Sequence, residues 1–288
     1  MTLRGVREHQ AAFQEIADDN GGNRFSGLPG HDASVEYVVD QLDNAGYDPV
    51  VQPFDYLAFT ELGASALEQT APGQVTYVQG VDFGVIDQSD EGDVTAAVTA
   101  VDLQLGLGNT TTSGCEAGDF AGFPVGNIAL LQRGACTFEL KAENAAAAGA
   151  VGIVIFNQGE TADPGRQGIP AVTLSANNTS GIPVLGTTYA LGEQLAGTAG
   201  LQMRVFANTL REIKTTFNVL AETRRGDDSN VVMVGAHLDS VGAGPGINDN
   251  GSGSAAILEA AEQMAKVRPR NTGRFAWWGD EESGDVGS

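Results

Sequence analysis

Basic residues are scarce in this chain: 15 lysines and arginines stand against 37 acids, a formal charge of −22. Such a field repels nucleic acid and anionic lipid, which argues against a nucleic-acid or membrane-surface role. The acids are scattered rather than gathered into a tail, so most read as a solvated surface. Long apolar runs are also missing, and nothing in the sequence approaches a bilayer span. The opening residues Met1 to Glu8 lack the apolar stretch of a secretory leader, which fits a cytosolic protein or one whose leader lies outside the chain. Cysteine occurs only at Cys115 and Cys136, so the chain can form one internal bridge at most. Two cysteines alone leave a pair of buried thiols and a disulfide equally open. A bridge between them would stabilise the fold by about 3 kcal/mol through the unfolded chain. What is present suffices for folding: 42% hydrophobic residues support packed cores, and 288 residues suit two ordinary domains or one large one.

Periodicity divides the chain into three parts. Val6, Phe13 and Ile16 lie near one face of an opening helix that Asn20-Gly21-Gly22 ends. A second amphipathic helix carries Val35, Val38, Val39 and Leu42, and Pro49 to Phe59 reads as extended. From about residue 65 the texture becomes short and β-rich, with Val75–Val78, Ala96–Val101, Ile128–Leu131, Gly152–Phe156 and Ala171–Leu174 as strands and one helix over Phe138–Ala148. Past residue 210, Thr215–Ala221 and Asn230–Ala236 read as strands. The Gly226-Asp227-Asp228-Ser229 turn between them predicts an antiparallel pair. A helix over Ser252–Lys266 and a buried strand over Thr272–Trp278 follow. The expectation is one α/β domain built from residues 1–64 and 211–288, with a β-rich domain inserted at 65–210.

Three short stretches carry the chemistry. His237 and Asp239 fall where a strand runs out, Asp249 lies in a glycine-rich loop before a helix, and Glu281 and Glu282 follow another strand end. In an open α/β sheet, functional groups gather at the carboxyl ends of strands, so the stretches are placed to converge. A neutral imidazole is a good zinc ligand, and Asp239 can accept from its second nitrogen. A carboxylate such as Asp249 can bridge two ions, while of two adjacent glutamates one can ligate and the other work on water. Taken singly, each stretch is ordinary. A His-x-Asp is commonly a hydrogen-bonded pair, Asn-Asp-Asn-Gly a turn, and Glu-Glu a solvated pair. The hydroxyls of Ser252 and Ser254 suit a helix cap, and Trp277 and Trp278 suit a core.

Together, Val234-Gly235-Ala236-His237-Leu238-Asp239-Ser240, Gly246-Ile247-Asn248-Asp249-Asn250-Gly251-Ser252-Gly253 and Trp277-Trp278-Gly279-Asp280-Glu281-Glu282 resemble the M28 family of zinc peptidases, the secreted bacterial aminopeptidases above all. The resemblance implies a mixed-sheet, phosphorylase/hydrolase-like zinc exopeptidase domain and two zinc ions per complete site. It implies His237, Asp249 and Glu282 as metal ligands, Glu281 as general base, Asp239 as the group orienting His237, and a cis Asp249–Asn250 bond. The stretches Gly126–Phe138 and Ala148–Asn157 resemble a protease-associated (PA) domain, whose relatives commonly pair the cysteines matching Cys115 and Cys136. That pairing implies an oxidising, extracellular compartment. Asn23-Arg24-Phe25-Ser26-Gly27 resembles the start of an M28 domain, and His9 and His31, where the family places no ligand, read as surface residues. The family pattern places an acid and a histidine downstream of Glu282. The chain reads as truncated before them, and on that reading these residues alone bind zinc weakly and have little activity. The activity implied is removal of N-terminal residues from peptides with a free amino terminus; a carboxypeptidase or dipeptidase, or a non-catalytic binding protein on the same scaffold, stands as the alternative. Asp280, an acid beside the expected base, suggests like-charge repulsion on Glu281.

Overall fold

The computed structural model describes residues 1–284, 286 and 287. The chain divides into two compact units, Met1–Ala58 with Ile213–Ser288, and Phe59–Glu212. In the first unit, α1 (Leu3–Asp19) starts at Thr2, whose hydroxyl accepts from Gly5 N, and buries His9, Phe13 and Ala17 at four-residue spacing. Helix α2 (Pro29–Ala45) opens on proline, which arrives with a helical φ and no orphan N–H, and stops at Gly46 in the left-handed region. Its buried face holds His31, Val35, Val38 and Leu42. Strand β1 (Val50–Glu61) follows.

The second unit is an eight-stranded sheet. Its strands are β2 (Ala66–Ala71), β3 (Val75–Thr76), β4 (Phe83–Val85), β5 (Gly92–Ala100), β6 (Ile128–Gln132), β7 (Gly152–Phe156), β8 (Val184–Thr187) and β9 (Gln202–Ala207), in the order β3-β2-β9-β5-β6-β7-β8-β4. The middle strands β5 to β8 run parallel. Alternation along them feeds two cores. Ile128, Leu130, Val154 and Phe156 join one, and Ala129, Leu131, Ile153 and Ile155 the other. Helix α3 (Phe138–Ala147) covers the second core with Phe138, Ala142 and Ala145; after the short α4 (Pro164–Gln167), α5 (Tyr189–Ala196) covers the first with Leu191 and Leu195. Cys115 and Cys136 are joined as a disulfide. The stretch Ala171–Leu174 is no strand; only a single bridge, Asp87 to Thr173, forms there.

Back in the first unit come β10 (Thr209–Glu222), β11 (Asp227–His237), α6 (Gly251–Met264) and β12 (Asn271–Trp278). Sheet order is β1-β10-β12-β11. The antiparallel pair expected of Thr215–Ala221 and Asn230–Ala236 is therefore not formed: β12 lies between them, antiparallel to β10 and parallel to β11. The cause is burial. Phe275, Ala276 and Trp277 are almost wholly excluded from water, so β12 takes the interior position, and the four residues between β10 and β11 span two strand spacings of about 4.8 Å. The core joins Phe13, Val38 and Leu42 from the N-terminal helices to Ala255, Leu258 and Ala261 of α6 and to Val219, Phe275 and Trp277 of the sheet.

His9 and His31 are not surface residues; they are 5% and 0% exposed. His9 falls on the apolar stripe of α1, with Nδ1 2.7 Å from the Tyr37 hydroxyl and Nε2 3.5 Å from Glu262. His31 Nε2 lies 3.3 Å from the Phe217 carbonyl, the geometry of a neutral Nε2–H tautomer. Burial lowers both pKa values from 6.5.

Candidate metal centre

The parallel register sets the site. His237, last residue of β11, lies opposite Trp278, last residue of β12, and Leu238 N donates to Trp278 O at 2.6 Å. Both chains leave the sheet at the same end, so the His237–Ser240 and Gly279–Glu282 segments emerge side by side. The third segment arrives through the N-terminus of α6. Its cap is Asn250, whose side-chain oxygen accepts from Gly253 N at 3.0 Å; the hydroxyls expected there do other work. Ser252 donates to Asn248 O, and Ser254 donates to the His237 carbonyl at 2.7 Å, tying helix to strand end. A Cβ on Gly253 would stand 2.3 Å from the Asn250 oxygen, so only glycine leaves room for the cap. The Asp249–Asn250 bond is cis.

His237 is the hub. Its Nε2 lies 3.0 Å from Asp249 Oδ1 and 3.8 Å from Glu281 Oε2, and ligand atoms of His237, Glu281 and Glu282 all fall within 4.8 Å of one another. Asp249 stands outside that mutual group but against the same imidazole nitrogen. Nδ1 faces Asp239 Oδ1 at 3.4 Å, an ion-pair distance whose alignment falls short of a hydrogen bond. Asp239 is fully buried, and its two oxygens accept from Glu281 N and Glu282 N at 3.3 and 3.2 Å. One carboxylate thus fixes both the imidazole and the glutamate loop. Asp249, by contrast, has 81% of its side chain exposed.

The charges say what the cluster lacks. Burial works against a charged His237, yet Asp239, Asp249 and Glu281 overrule it and lift its pKa to about 9. Burial raises the Glu282 carboxyl, His237 pulls it back, and the neighbouring Asp249, Glu281 and Asp239 raise it further. Converging carboxylates that retain a proton on an imidazole mark a place for a cation. A borderline metal that takes nitrogen and oxygen donors fits this set, with the second imidazole nitrogen turned to a carboxylate. Asp280 is fully buried, at φ 59°, with its N–H on Ser26 Oγ at 2.7 Å. Burial first, then Asp239, pushes its own carboxyl up to about 7.

Arg24 is the residue the sequence reading passed over. It is wholly buried beneath the loops that carry the site. Nε donates to Pro245 O at 2.9 Å, Nη2 to Gly246 O at 3.1 Å, and Nη1 makes a short bond to Leu238 O. Its backbone N–H donates to Ser240 Oγ and its carbonyl accepts from Ser240 N, and its guanidinium stacks 5.1 Å over Phe13. Burial lowers its pKa to about 10 against the pull of Asp239. One cation thereby clamps the loop behind His237 to the loop before Asp249. The string Asn23-Arg24-Phe25-Ser26 was visible in the sequence, but its partners are backbone carbonyls more than two hundred residues away and leave no trace in side-chain pattern.

Comparison with known proteins places both parts of the chain beside known families. The sequence model of peptidase family M28 matches residues 218–288, and that of the PA domain matches residues 94–195. An aminopeptidase of Pseudomonas aeruginosa is 56% identical over 276 residues, 96% of this chain and 51% of its own length. The probable lipoprotein aminopeptidase LpqL of Mycobacterium tuberculosis is 38% identical over 97% of this chain and 53% of its own. The chain spans about half the length of the curated relatives it matches. Among solved structures, an aminopeptidase from Aneurinibacillus sp. strain AM-1 superposes with a TM-score of 0.77 at 28% identity, covering 97% of this chain and 63% of that one. A zinc aminopeptidase from Bacillus subtilis gives 0.60 at 26% identity, with 96% and 62% covered. Residues 218–288, which contribute every side chain of the cluster around His237, are a segment of peptidase family M28, and residues 94–195 are a PA domain.

Proposed function

We propose that the protein is a zinc-dependent aminopeptidase acting on peptides with a free amino terminus. The observation that carries this reading is the convergence of Asp249, Glu281 and Glu282 on the imidazole of His237, with Asp239 behind it. His237, Asp249 and Glu282 would hold the metal, two zinc ions in a complete site. Zinc, when bound, supplies Lewis acidity that acidifies a water and polarises a peptide carbonyl. Glu281 would serve as the general base, taking a proton from the attacking water and passing it to the departing amine. Asp239 faces His237 Nδ1 at 3.4 Å and leaves Nε2 to the metal side, and through two backbone N–H groups it keeps Glu281 and Glu282 at the cluster. The disulfide, a bridge rare in reducing compartments, supports a place outside the cytosol.

Zinc content and hydrolysis of aminoacyl anilides, measured on the wild type, Glu281→Gln and Glu282→Gln, test the assignment. Glu281→Gln should keep zinc while kcat falls about 10²–10⁴-fold, and Glu282→Gln should lose zinc. In the whole protein, with the residues downstream of Glu282 present, a wild type that binds no zinc, or a Glu281→Gln variant of undiminished kcat, would overturn it.

A further inference from the structure

Lys141 lies in the second core of the Phe59–Glu212 unit and is 0% exposed. Its Nζ makes a short bond to Ser113 O and donates to Cys115 Sγ at 3.6 Å. Among the described residues no carboxylate hydrogen-bonds it. Three residues further along the same helix, Asn144 donates to Gly114 O at 3.0 Å. Helix α3 thus pins residues 113–114 from two positions and holds the Cys115 sulfur against the ammonium. A buried ammonium needs strong acceptors, and a disulfide sulfur is a weak one. A thiolate in the same place would be its full counter-ion.

We propose that the Cys115–Cys136 bridge is a thiol-exchange site in which Cys136 takes the incoming thiol and Cys115 leaves as a thiolate held by Lys141. The co-reactant is a small thiol or dithiol, such as glutathione. Its thiolate attacks Cys136 Sγ and forms a new S–S bond; the Cys115–Cys136 bond breaks, and its electron pair passes to Cys115 Sγ. No proton moves in that step. The sulfur that is more stable as a thiolate leaves faster, so direction follows electrostatics. Cys136 has a claim of its own, because it precedes Thr137, the cap of α3. A helix N-terminus, though, carries only about half a positive charge. Here Thr137 Oγ1 already accepts from Leu140 N, and Glu139 adds negative charge to the first turn. A whole ammonium at contact distance outweighs it. Asp119 and Asp102 are the carboxylates that face Lys141, and Glu116 follows Cys115 in the chain. Burial lowers the Lys141 pKa to about 8 while Asp119 and Asp102 hold it up, so the ammonium persists at neutral pH. Both cysteines are partly exposed, which lets a reagent in.

The test uses the full chain. The oxidised protein is equilibrated with glutathione buffers and the mixed disulfide located by peptide mass spectrometry. The reduced protein is then alkylated with iodoacetamide from pH 5.5 to 9. Expected are glutathione on Cys136 and, at pH 6.5, alkylation of Cys115 about tenfold faster than Cys136. The Cys115 profile should turn at least one pH unit below the ordinary thiol value of about 8.5. Lys141→Met should erase the preference. Glutathione on Cys115, two profiles turning near 8.5, a bridge that stays closed at every glutathione ratio, or a preference that survives in a folded Lys141→Met variant each overturns the proposal. The wild-type profiles decide it even if Lys141→Met fails to fold.

Discussion

Replacing Arg24 by methionine keeps much of the side chain's bulk and removes its donors. Three carbonyls, Leu238, Pro245 and Gly246, then lose their side-chain partner beneath the site. Each buried orphan costs about 1–3 kcal/mol. Against this, the variant no longer buries a charge, which returns several kcal/mol of desolvation. The three orphans together cost about 3–9 kcal/mol, and the returned desolvation offsets several of these, so the net loss should be about 1–5 kcal/mol. A chain of two units need not unfold in one step, so the probe must report on the right one. Both tryptophans, Trp277 and Trp278, belong to the unit that contains Arg24. Tryptophan fluorescence during urea unfolding therefore follows that unit alone. Arg24→Lys, which keeps the charge but cannot fork to three acceptors, should lose about half as much. A loss below about 1 kcal/mol for Arg24→Met, on the linear-extrapolation scale, would show that the loops are held by something else.

Other outcomes follow from the same contacts. Asp239→Asn removes the negative charge facing His237 and leaves one side-chain oxygen where two accepted, so at least one of the Glu281 and Glu282 N–H groups loses its acceptor. Zinc affinity measured by competition with a chelator should fall about 10–100-fold. His31 has its pKa lowered by burial, so between that value and 6.5 the unfolded chain binds more protons than the folded one. The stability that neutral His31 contributes is complete above about pH 6.5 and is lost as pH falls. His31→Asn should show a shallower acid slope by tryptophan fluorescence, and an unchanged slope counts against the assignment. A Cβ on Gly192 would sit 2.0 Å from Phe156 Cγ. Gly192→Ala should therefore destabilise the Phe59–Glu212 unit by about 1–3 kcal/mol, read as a lower midpoint by circular dichroism while the tryptophan transition stays put.

Much of the site was legible because its parts are local. Strand ends, a glycine loop and an acidic pair each occupy a few residues, and the α/β rule about strand ends assembles them without tertiary knowledge. The fate of the Gly226–Ser229 turn shows the limit. A turn signal reports a reversal of direction, but whether two strands pair depends on which third strand most needs burial, and Phe275-Ala276-Trp277 wins that place. His9 and His31 were misjudged for a related reason. A polar residue on an apolar stripe looks exposed until its partner is known, and Tyr37 and the Phe217 carbonyl lie on other elements. Arg24 was hidden because charged residues are rarely buried whole, and its acceptors are main-chain atoms that no residue type advertises. Helix α5 was missed because eight residues, with Gly192 inside and Gly197 at the end, give periodicity little length to act on.

The pairing of β11 with β12 has a use beyond holding a sheet together. A slip of one residue would turn every β12 side chain to the opposite face. Trp277, sealed in the interior with its indole N–H on the Ser254 carbonyl, would be turned outward, and Glu281 and Glu282 would travel about 3.3 Å along the strand axis. Misplacing the acids is therefore impossible without evicting an indole. The positional tolerance of the metal-seeking groups is gauged from inside the core, by the bulk of a ring.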